Sequence, residues 1–440
     1  MKLLFISLGC DKNLVDSEHM LAMLAKDGFT MTDDEQEAEV IVVNSCCFIS
    51  DAMEESIQTL IDMGQYKQNG CLKTLIVTGC LAQRYADDIA EQIPEVDAIL
   101  GTNSYDAIVQ AIHEALAGQK PSIQKPLVGL PENYAGRTLT TGGHFAHLKI
   151  AEGCDKHCTY CVIPSIRGSY RSVPMEQLLQ EATELAEGGV KELILVAQET
   201  TLYGVDLYGR KMLPTLLEKL SAIDGIRWIR LQYCYPEEIT EELIAVMAQN
   251  PKVCHYIDMP IQHANDTILQ RMGRKTSQAD IRAIVQKLRA AMPDICIRTT
   301  LICGFPGETQ AMHEELATFV SEMKFDRLGC FAYSRQEGTP ADQFADQVEE
   351  EQKALWVEDI MMLQQEIAAT CNESLIGSEV DVFIEGKVTD EQVYIGRTYR
   401  DAPDVDGYIF LPSEAELMTG DFVRGYVTGS YEYDLIGELQ

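Results

Sequence analysis

Short apolar runs alternate with amphipathic stretches through the first 140 residues of the chain. Runs rich in β-branched residues occupy 3–6, 40–43, 75–77 and 98–100, and such runs are typical of strands buried on both faces of a parallel sheet. Of the helices predicted between them, one stops at Gly28, and another begins at Asp51, with Glu54 as its capping partner and Ile61 on its apolar face. This alternation predicts an open α/β sheet with its site at the carboxyl ends of the strands.

The same alternation resumes after residue 143 and repeats six times. Strand-like runs lie at 147–150, 193–196, 229–231, 256–259, 297–302 and 328–332, and helical segments such as 175–187 and 278–291 separate them. Six βα units are too few for the closed eight-fold barrel. The pattern therefore predicts a partial (βα)6 barrel with an open side.

Beyond residue 344 the pattern changes twice. Helical periodicity covers 345–369, with Val348 and Leu355 on one side, and 373–440 holds short strands broken by turns, which predicts a small antiparallel β-barrel. The stretch 118–143 carries Gly and Pro without clear periodicity and is interpreted as a connection. We therefore divide this α/β protein into an N-terminal domain (1–117), a linker (118–143), the partial barrel (144–344), a linker helix (345–372) and the small β-barrel (373–440).

Composition and charge narrow the class of protein. The chain of 440 residues is 46% hydrophobic and 24% charged, which is ordinary for a globular protein. Its 69 acidic and 35 basic residues give a net charge of −34, which argues against a surface that grips phosphate throughout. The first ten residues are too short for a signal peptide and run into charged ones, and no run approaches about 18 apolar residues. We expect a cytoplasmic protein, away from membranes, whose 14 cysteines stay reduced.

Three cysteines in one short loop carry the strongest chemical signal. Cys154, Cys158 and Cys161 form a CxxxCxxC motif just after the first barrel strand. Three thiolates in such a loop can hold three irons of a [4Fe–4S] cluster and leave the fourth iron open to a small molecule. The alternative is zinc with His157 as fourth ligand, but a structural zinc site needs four converging ligands, and His157 lies inside the loop, where reaching the same ion is strained. We favour the iron–sulfur cluster.

Three further cysteines follow three strands of the N-terminal domain. Cys10, Cys46 and Cys80 each lie in the turn after a predicted parallel strand, so they are expected to converge at one edge of the sheet. Any one of them could be a packing residue, whereas three equivalent positions favour a shared site; Cys47 competes with Cys46. Other cysteines lie mainly in apolar runs and are interpreted as core residues: Cys234, Cys254, Cys296, Cys303, Cys330 and Cys371.

The CxxxCxxC motif, with Tyr160 before its last cysteine, resembles that of the radical S-adenosylmethionine (SAM) enzymes. The resemblance implies that the open iron chelates SAM, that SAM is cleaved reductively to a 5′-deoxyadenosyl radical, and that the scaffold is a partial barrel. It also implies that Tyr160 packs near the adenine and that the loop from Gly304 to Glu308 approaches the cofactor backbone. The alternative for the glycines of that loop is a plain turn.

Essentially the whole chain resembles the methylthiotransferases of that superfamily. Matching blocks lie at 9–18, 153–168, 298–300, 304–308, 333–334 and 338–341. The resemblance implies a second [4Fe–4S] cluster on Cys10, Cys46 and Cys80 that supplies the transferred sulfur, an external electron donor, and a C-terminal barrel of the TRAM type. Residues 396–403 and 432–435 are most similar to the RimO-type branch, which methylthiolates the β-carbon of an aspartate in the twelfth protein of the small ribosomal subunit.

The acidic charge of the C-terminal segment independently supports a protein substrate. Residues 373–440 hold 15 acidic and four basic residues, whereas a barrel that grips RNA should be basic. RNA binding is therefore not expected, and a basic ribosomal protein fits by complementary charge; the alternative for this charge is simple solvation. The rival functions are methylthiolation of an adenosine in transfer RNA and a non-enzymatic iron–sulfur redox sensor.

Overall fold

A computed structural model describes residues 1–131 and 136–440 of the chain. Its first segment is an α/β layer whose strands are β1 (Lys2–Ser7), β2 (Thr30–Met31), β3 (Val40–Ser45), β4 (Thr74–Gly79), β5 (Ala98–Leu100) and β6 (Ser122–Ile123). Its helices are α1 (Asp11–Lys26), α2 (Ser50–Gly64), α3 (Tyr66–Asn69), α4 (Cys80–Arg84), α5 (Ala86–Gln92) and α6 (Ile108–Leu116).

The strands of this segment form the open parallel sheet that the apolar runs predict. Its order is β2-β1-β3-β4-β5-β6, and every pairing is parallel. Every residue of β3 and β4 is buried, because helices cover both faces of the sheet. β6 lies within the stretch interpreted as a linker and extends the sheet beyond β5, while residues 132–135 of that stretch lie outside the described residues.

The start of α2 differs from the prediction. The helix begins at Ser50, its N-cap is Ile49, and no side chain caps it, so the capping pair of Asp51 and Glu54 is wrong. Ile61 is 45% exposed and is not part of the buried face. The Ser50 hydroxyl instead lies 3.1 Å from the Ser334 hydroxyl in the next segment, so a tertiary contact sets this helix end.

The second segment is the predicted partial barrel. Its strands are β7 (Phe145–Lys149), β8 (Ala151–Glu152), β9 (Arg171–Ser172), β10 (Glu192–Val196), β11 (Trp228–Leu231), β12 (Val253–Asp258), β13 (Cys296–Cys303) and β14 (Arg327–Ala332). Its helices are α7 (Ile163–Arg167), α8 (Met175–Glu187), α9 (Val205–Tyr208), α10 (Leu213–Ser221), α11 (Glu241–Gln249), α12 (Asp266–Arg271), α13 (Gln278–Ala291) and α14 (Gln310–Met323). The main sheet is parallel, in the order β14-β13-β12-β11-β10-β7, with β7 and β14 as its edges.

The linker helix is shorter at its start than its periodicity predicts. α15 (Glu350–Glu373) begins five residues after the predicted start at Ala345. The backbone carbonyl of Asp346 accepts a hydrogen bond from Gly307 N at 2.8 Å, which holds the preceding chain against the barrel loop and out of helical register. Leu355, placed on the apolar side from the sequence, is 55% exposed, so its placement is wrong.

The third segment is a closed five-stranded barrel. Its strands are β15 (Glu379–Lys387), β16 (Val393–Arg397), β17 (Ile409–Pro412), β18 (Phe422–Tyr431) and β19 (Asp434–Leu439), in the order β15-β16-β17-β19-β18. Four pairings are antiparallel, but β17 and β19 are parallel, which corrects the expectation of antiparallel pairing throughout. Directions cannot alternate all the way around a ring with an odd number of strands, so one parallel pair is unavoidable.

The small barrel docks on the amino ends of the partial-barrel strands. Glu192, the first residue of β10, is fully buried and pairs with Arg230 and with Arg397 of the small barrel, each at 2.7 Å. Trp228, the first residue of β11, packs edge-on against Phe422 with ring centroids 4.9 Å apart. The carboxyl ends of the strands therefore remain available to the N-terminal segment. None of the helices in residues 1–131 and 136–440 is both long enough and apolar enough to span a bilayer.

Candidate active site

Three turns at the carboxyl edge of the first sheet bring Cys10, Cys46 and Cys80 together; we call these residues the N-terminal triad. Cys10 is the N-cap of α1, Cys46 follows β3 directly, and Cys80 is the first residue of α4. The turns are tight: Gly9 has φ +90°, and a Cβ built on it would lie 3.0 Å from Cys46 Sγ. Only glycine adopts such a backbone at low cost.

Asn13 connects the three turns of the N-terminal triad. Its side-chain amide donates to Leu8 O at 3.1 Å and to Ser45 O at 3.0 Å. Its carbonyl oxygen Oδ1 lies 3.8 Å from Cys80 Sγ. One fully buried side chain thus touches the turn after β1, the turn after β3 and the thiol after β4.

The three thiols of the N-terminal triad differ in exposure. Cys46 and Cys80 are each 6% exposed, whereas Cys10 faces solvent. Burial raises the pKa of Cys80 to about 12, the neighbouring Arg167 opposes that rise, and the Cys10 and Cys46 thiols add to it. The thiols are therefore close enough to affect one another's ionisation, and a bound cation would favour their thiolate forms.

Cys47 has a different environment from Cys46. It is fully buried in the core of the first segment, and burial raises the pKa of its thiol to about 11 against the opposing charge of Arg84. The Arg84 guanidinium also donates to Gln336 Oε1 at 2.9 Å and to Glu337 O at 2.7 Å. This geometry favours Cys46 over Cys47 as the member of the triad, because Cys46 Sγ is the thiol beside Gly9.

Cys154, Cys158 and Cys161 lie in the loop between β8 and α7; we call them the loop triad. Cys154 N donates to Gly168 O at 3.0 Å, and Cys161 N donates to Cys158 O at 3.1 Å. Cys154 and Cys158 are each 6% exposed, and burial raises the pKa of Cys161 to about 12. His157 is exposed, so the histidine needed for a closed zinc site does not share the buried environment of the thiols.

Tyr160 and the loop after β13 lie beside the loop triad. The Tyr160 ring meets Phe305 edge-on, with centroids 6.4 Å apart, and the Cys158 Sγ lies 3.9 Å from the Tyr235 hydroxyl. Gly304 has φ +75°, and a Cβ built on it would lie 2.2 Å from Lys353 Cγ. The close approach at Gly304 is therefore to α15.

Glu308 points into its own loop. Its Oε2 accepts hydrogen bonds from Gly304 N at 2.6 Å and Phe305 N at 3.2 Å, and the residue is 5% exposed. The carboxylate thus fixes the shape of the loop from below. Its expected role in cofactor binding, like that of Tyr160 and Gly304, stays a prediction.

A buried ionic network joins the two triads, and sequence reasoning missed it. Arg167 donates to Asp16 Oδ2 at 2.8 Å, to Glu152 Oε2 at 3.2 Å and to Asn13 Oδ1, and its second terminal nitrogen lies 3.6 Å from Cys80 Sγ. Lys149 donates to Glu152 at 2.8 Å and also pairs with Asp16. Burial by itself would raise the pKa of Glu152, but Arg167 and Lys149 hold that pKa well below its usual range.

The signal for this network was the charge of Lys149 and Glu152 in a segment otherwise predicted as a buried strand, since a buried charge needs a partner. Every member of the network is less than one-tenth exposed. Arg167 and Glu152 flank the loop triad in sequence, whereas Asn13 and Asp16 lie on the first turns of α1. The network therefore fixes the loop triad relative to the N-terminal triad.

Two more polar groups, Lys12 and Glu199, lie near the triads. Lys12 Nζ is 3.1 Å from the centroid of the Tyr233 ring and 2.8 Å from Asp11 Oδ1. Glu199 is fully buried, donors from Thr201 reach only its Oε1, and burial raises its pKa to about 7. Both groups follow strands or turns at the carboxyl ends, where a substrate would approach.

Three family models match: the uncharacterized protein family UPF0004 over residues 2–101, the radical SAM superfamily over 148–320 and the TRAM domain over 376–439. Solved structures with a similar fold include the radical SAM methyltransferase TsrM from Kitasatospora setae, with a TM-score of 0.56, 14% identity and coverage of 77% of this chain and 73% of that one. At this identity the similarity concerns the fold alone.

Similarity to curated proteins covers the whole chain. It is 47% identical over 437 residues to the ribosomal protein uS12 methylthiotransferase RimO of Desulforamulus reducens, covering 99% of this chain and 98% of the relative. It is 59% identical over 440 residues to the protein of the same name from Lachnoclostridium phytofermentans, covering all of both chains. The chain therefore belongs to the RimO family of ribosomal protein uS12 methylthiotransferases.

Proposed function

We propose that this protein methylthiolates the β-carbon of an aspartate in ribosomal protein uS12, with one [4Fe–4S] cluster on each cysteine triad. The observation that carries the proposal is the placement of two cysteine triads on adjoining segments, with Arg167, which follows the loop triad in sequence, 3.6 Å from Cys80 Sγ of the N-terminal triad. Three thiolates at each site suit a cluster that keeps one iron open. The names of the full-length relatives support the choice of reaction and substrate.

The chain's own residues fit both clusters. Cys154 and Cys158 are shielded from water, and Lys156 N donates to Cys154 Sγ at 3.4 Å, a contact that favours a thiolate. At the N-terminal triad, Arg167 places a positive charge against Cys80 and so offsets the charge of three thiolates. When bound with SAM, the cluster on the loop triad supplies one-electron reductive chemistry, for which the electron comes from an external donor.

The other buried groups position and screen the site. Asn13 and Arg167 hold the turn that carries Cys80 against the segment that follows the loop triad. Lys12, packed on Tyr233 and paired with Asp11, is 6% exposed and closes the wall between the segments against water. A dry site prevents a reactive carbon centre from being quenched.

The surface charge of the small barrel supports a basic protein substrate. In residues 373–440, all of which are described, Arg397 and Arg400 are buried in ion pairs with the partial barrel. Only Lys387 and Arg424 are exposed basic residues, against ten exposed acidic ones: Glu373, Glu379, Asp381, Asp390, Glu391, Asp404, Glu414, Glu416, Glu432 and Glu438. The exposed residues of this segment are therefore more strongly acidic than the segment as a whole, and this negative surface opposes phosphate binding.

The test of the function is mass spectrometry of two candidate substrates. Anaerobically reconstituted protein is incubated with SAM, a strong reductant and either uS12 or transfer RNA. We expect a methylthio gain on one aspartate of uS12, no gain on transfer RNA, and no product from Cys154→Ala. Cys254→Ala, which removes a buried cysteine far from both triads, is the matched control and keeps activity.

Two outcomes would contradict the proposal. A gain on transfer RNA alone would make this an RNA-modifying enzyme. Cluster loading without any cleavage of SAM would favour the redox sensor.

Substrate recruitment is tested separately. The double change Glu414→Lys with Glu416→Lys should slow modification of uS12 at low salt and leave SAM cleavage unchanged. The control pair Asp33→Lys with Asp34→Lys, at the far edge of the first sheet, should change neither rate.

A further inference from the structure

A separate group of metal-ligating side chains lies at the β13–β14 edge of the partial barrel, below the loop after β13. Cys303 is the last residue of β13, Glu308 follows in the loop, and His313 lies in the first turn of α14. One ligand atom from each lies within 4.8 Å of the others. Cys330 of the neighbouring strand β14 adds a fourth donor, with its Sγ 3.4 Å from Cys303 Sγ.

These donors are buried, and one ring nitrogen of His313 has no hydrogen-bond partner among the described residues. Glu308 is 5% exposed and His313 is 2% exposed. Within the described part of the chain, Glu308 Oε1 and His313 Nδ1 form no hydrogen bond of acceptable geometry, although they lie 3.9 Å apart. Buried polar atoms are rarely left without a partner, and a bound ion is one of the partners that such atoms take.

His263 borders this group but is not one of its ligands. Its Nδ1 accepts a hydrogen bond from Asn265 N at 2.9 Å, so the ring proton of the neutral histidine lies on Nε2, which is 3.2 Å from Glu308 Oε1. A protonated nitrogen cannot coordinate a metal, but it can orient the carboxylate that does. His263 is therefore a neighbour that positions Glu308.

We propose that Cys303, Cys330, His313 and Glu308 bind one zinc ion, at a site distinct from both cysteine triads. Two thiolates, one imidazole and one carboxylate are the donor types that zinc takes in four-coordinate sites, at distances of about 2.0–2.3 Å. The ligand atoms of Cys303, Glu308 and His313 lie within 4.8 Å of one another and need only a small inward shift to reach such an ion, and Cys330 Sγ reaches it from beside Cys303 Sγ, 3.4 Å away. All four are buried, which is typical of a closed structural site.

The surroundings of His313 match a metal-bound histidine. Its Nε2 lies 3.5 Å from Asp359 Oδ2 of α15, which is the carboxylate that usually orients the ring of a metal ligand from outside. Its ring also stacks on Trp356, with centroids 5.1 Å apart. Because Glu308 Oε2 holds Gly304 N and Phe305 N, zinc on Oε1 would tie that loop to α14 and, through Asp359, to α15.

The test is the zinc content of the full-length protein with its iron–sulfur clusters in place. Protein reconstituted anaerobically is equilibrated with zinc, passed through a weak chelator and measured for zinc and iron by mass spectrometry. We expect about one zinc per chain beside the full iron content, and X-ray absorption at the zinc edge should show two sulfur and two nitrogen or oxygen neighbours. His313→Ala should lose the zinc and keep the iron.

A milder variant keeps the test decisive if His313→Ala fails to fold. Asp359 is half exposed, so Asp359→Ala leaves the core intact and should weaken zinc binding about tenfold, while the neighbouring exposed residue gives the control Glu358→Ala with no change. Zinc lost in Cys154→Ala or Cys46→Ala but kept in His313→Ala would place it at the cysteine triads and overturn the proposal. A zinc-free protein with a Cys303–Cys330 disulfide would also overturn it.

Discussion

We expect the attachment of the small barrel to the partial barrel to depend strongly on the charge of one residue, Glu192. It is fully buried, and its two oxygens pair with Arg230 and Arg397, which are also fully buried. The change Glu192→Gln removes the negative charge, which leaves Arg230 without a carboxylate partner and Arg397 with only Glu385. The expected result is a large loss of stability at neutral pH, since an uncompensated buried charge is costly.

Two routes give a similar magnitude. Burial by itself would raise the pKa of Glu192, but Arg397 and Arg230 outweigh it and hold that pKa at about 2. Against the ordinary value of 4.5, this contributes about 3 kcal/mol to the free energy of unfolding at pH 7. Removing one partner from a buried ion pair costs about 3–5 kcal/mol in other proteins. For the 440 residues unfolding as one unit the unfolding entropy is about 0.9 kcal/mol per kelvin, so we expect Glu192→Gln to lower the melting temperature by roughly 3–5 °C.

The pH dependence follows from the direction of the shift. The folded pKa is lowered, so the stabilisation is complete above the unfolded value and is lost as pH falls from about 5 towards 2. The difference between the wild-type protein and Glu192→Gln should therefore narrow over that interval. Urea unfolding followed by tryptophan fluorescence measures it locally, because Trp228 packs against Phe422 at the same interface.

A surface pair of the same barrel provides the control. Glu379 pairs with Arg424 at 3.3 Å, and both side chains are about half exposed. Glu379→Gln should leave the free energy of unfolding nearly unchanged at any pH, because exposed ion pairs are screened by solvent. A Glu192→Gln protein within about 1 kcal/mol of the wild-type protein at pH 7 would refute the reasoning.

Two further changes test the local geometry of the site. Gly79→Ala should destabilise the N-terminal segment by more than about 2 kcal/mol and release iron, because Gly79 has φ +91° and its Cβ would lie 2.3 Å from Asn44 Oδ1. The control is Gly118→Ala, where φ is +84° and nothing lies within 4 Å of the added Cβ. It should cost only about 1–2 kcal/mol in thermal unfolding. Arg167→Met should leave Asp16 and Glu152 short of one positive charge. We therefore expect more cleavage between the first two segments in limited proteolysis, and a lower iron content. Unchanged proteolysis and unchanged iron content would show that the network does not join these segments.

The periodicity of the apolar residues sufficed to predict the parallel sheet, the partial barrel and the positions of the cysteines after their strands. Those predictions depend on local pattern and on a general property of parallel sheets, that strand ends meet at one edge. Which of Cys46 and Cys47 belongs to the triad could not be predicted in the same way, because the choice depends on Arg84 and on the turn at Gly9. A single residue of shift along the chain exchanges the two thiols.

The network around Arg167 shows a second limit. Arg167 and Asp16 are 151 residues apart in sequence, and no pattern in either segment indicates the other. The start of α15 is a third case, since the hydrogen bond from Gly307 to Asp346 overrides a helical periodicity that continues through the preceding residues. In each case a contact between distant segments decides the local structure, and sequence pattern reports only local preference.

The central claim is that two cysteine triads each hold one cluster, and iron with sulfide quantification on anaerobically purified protein tests it most directly. We predict about eight iron and eight sulfide per chain in the wild-type protein, and about four of each in both Cys154→Ala and Cys46→Ala. Cys47→Ala should keep about eight. Full iron content in Cys46→Ala together with loss in Cys47→Ala would move the ligand to Cys47, and about four iron in the wild-type protein with no loss in Cys46→Ala would contradict the second cluster.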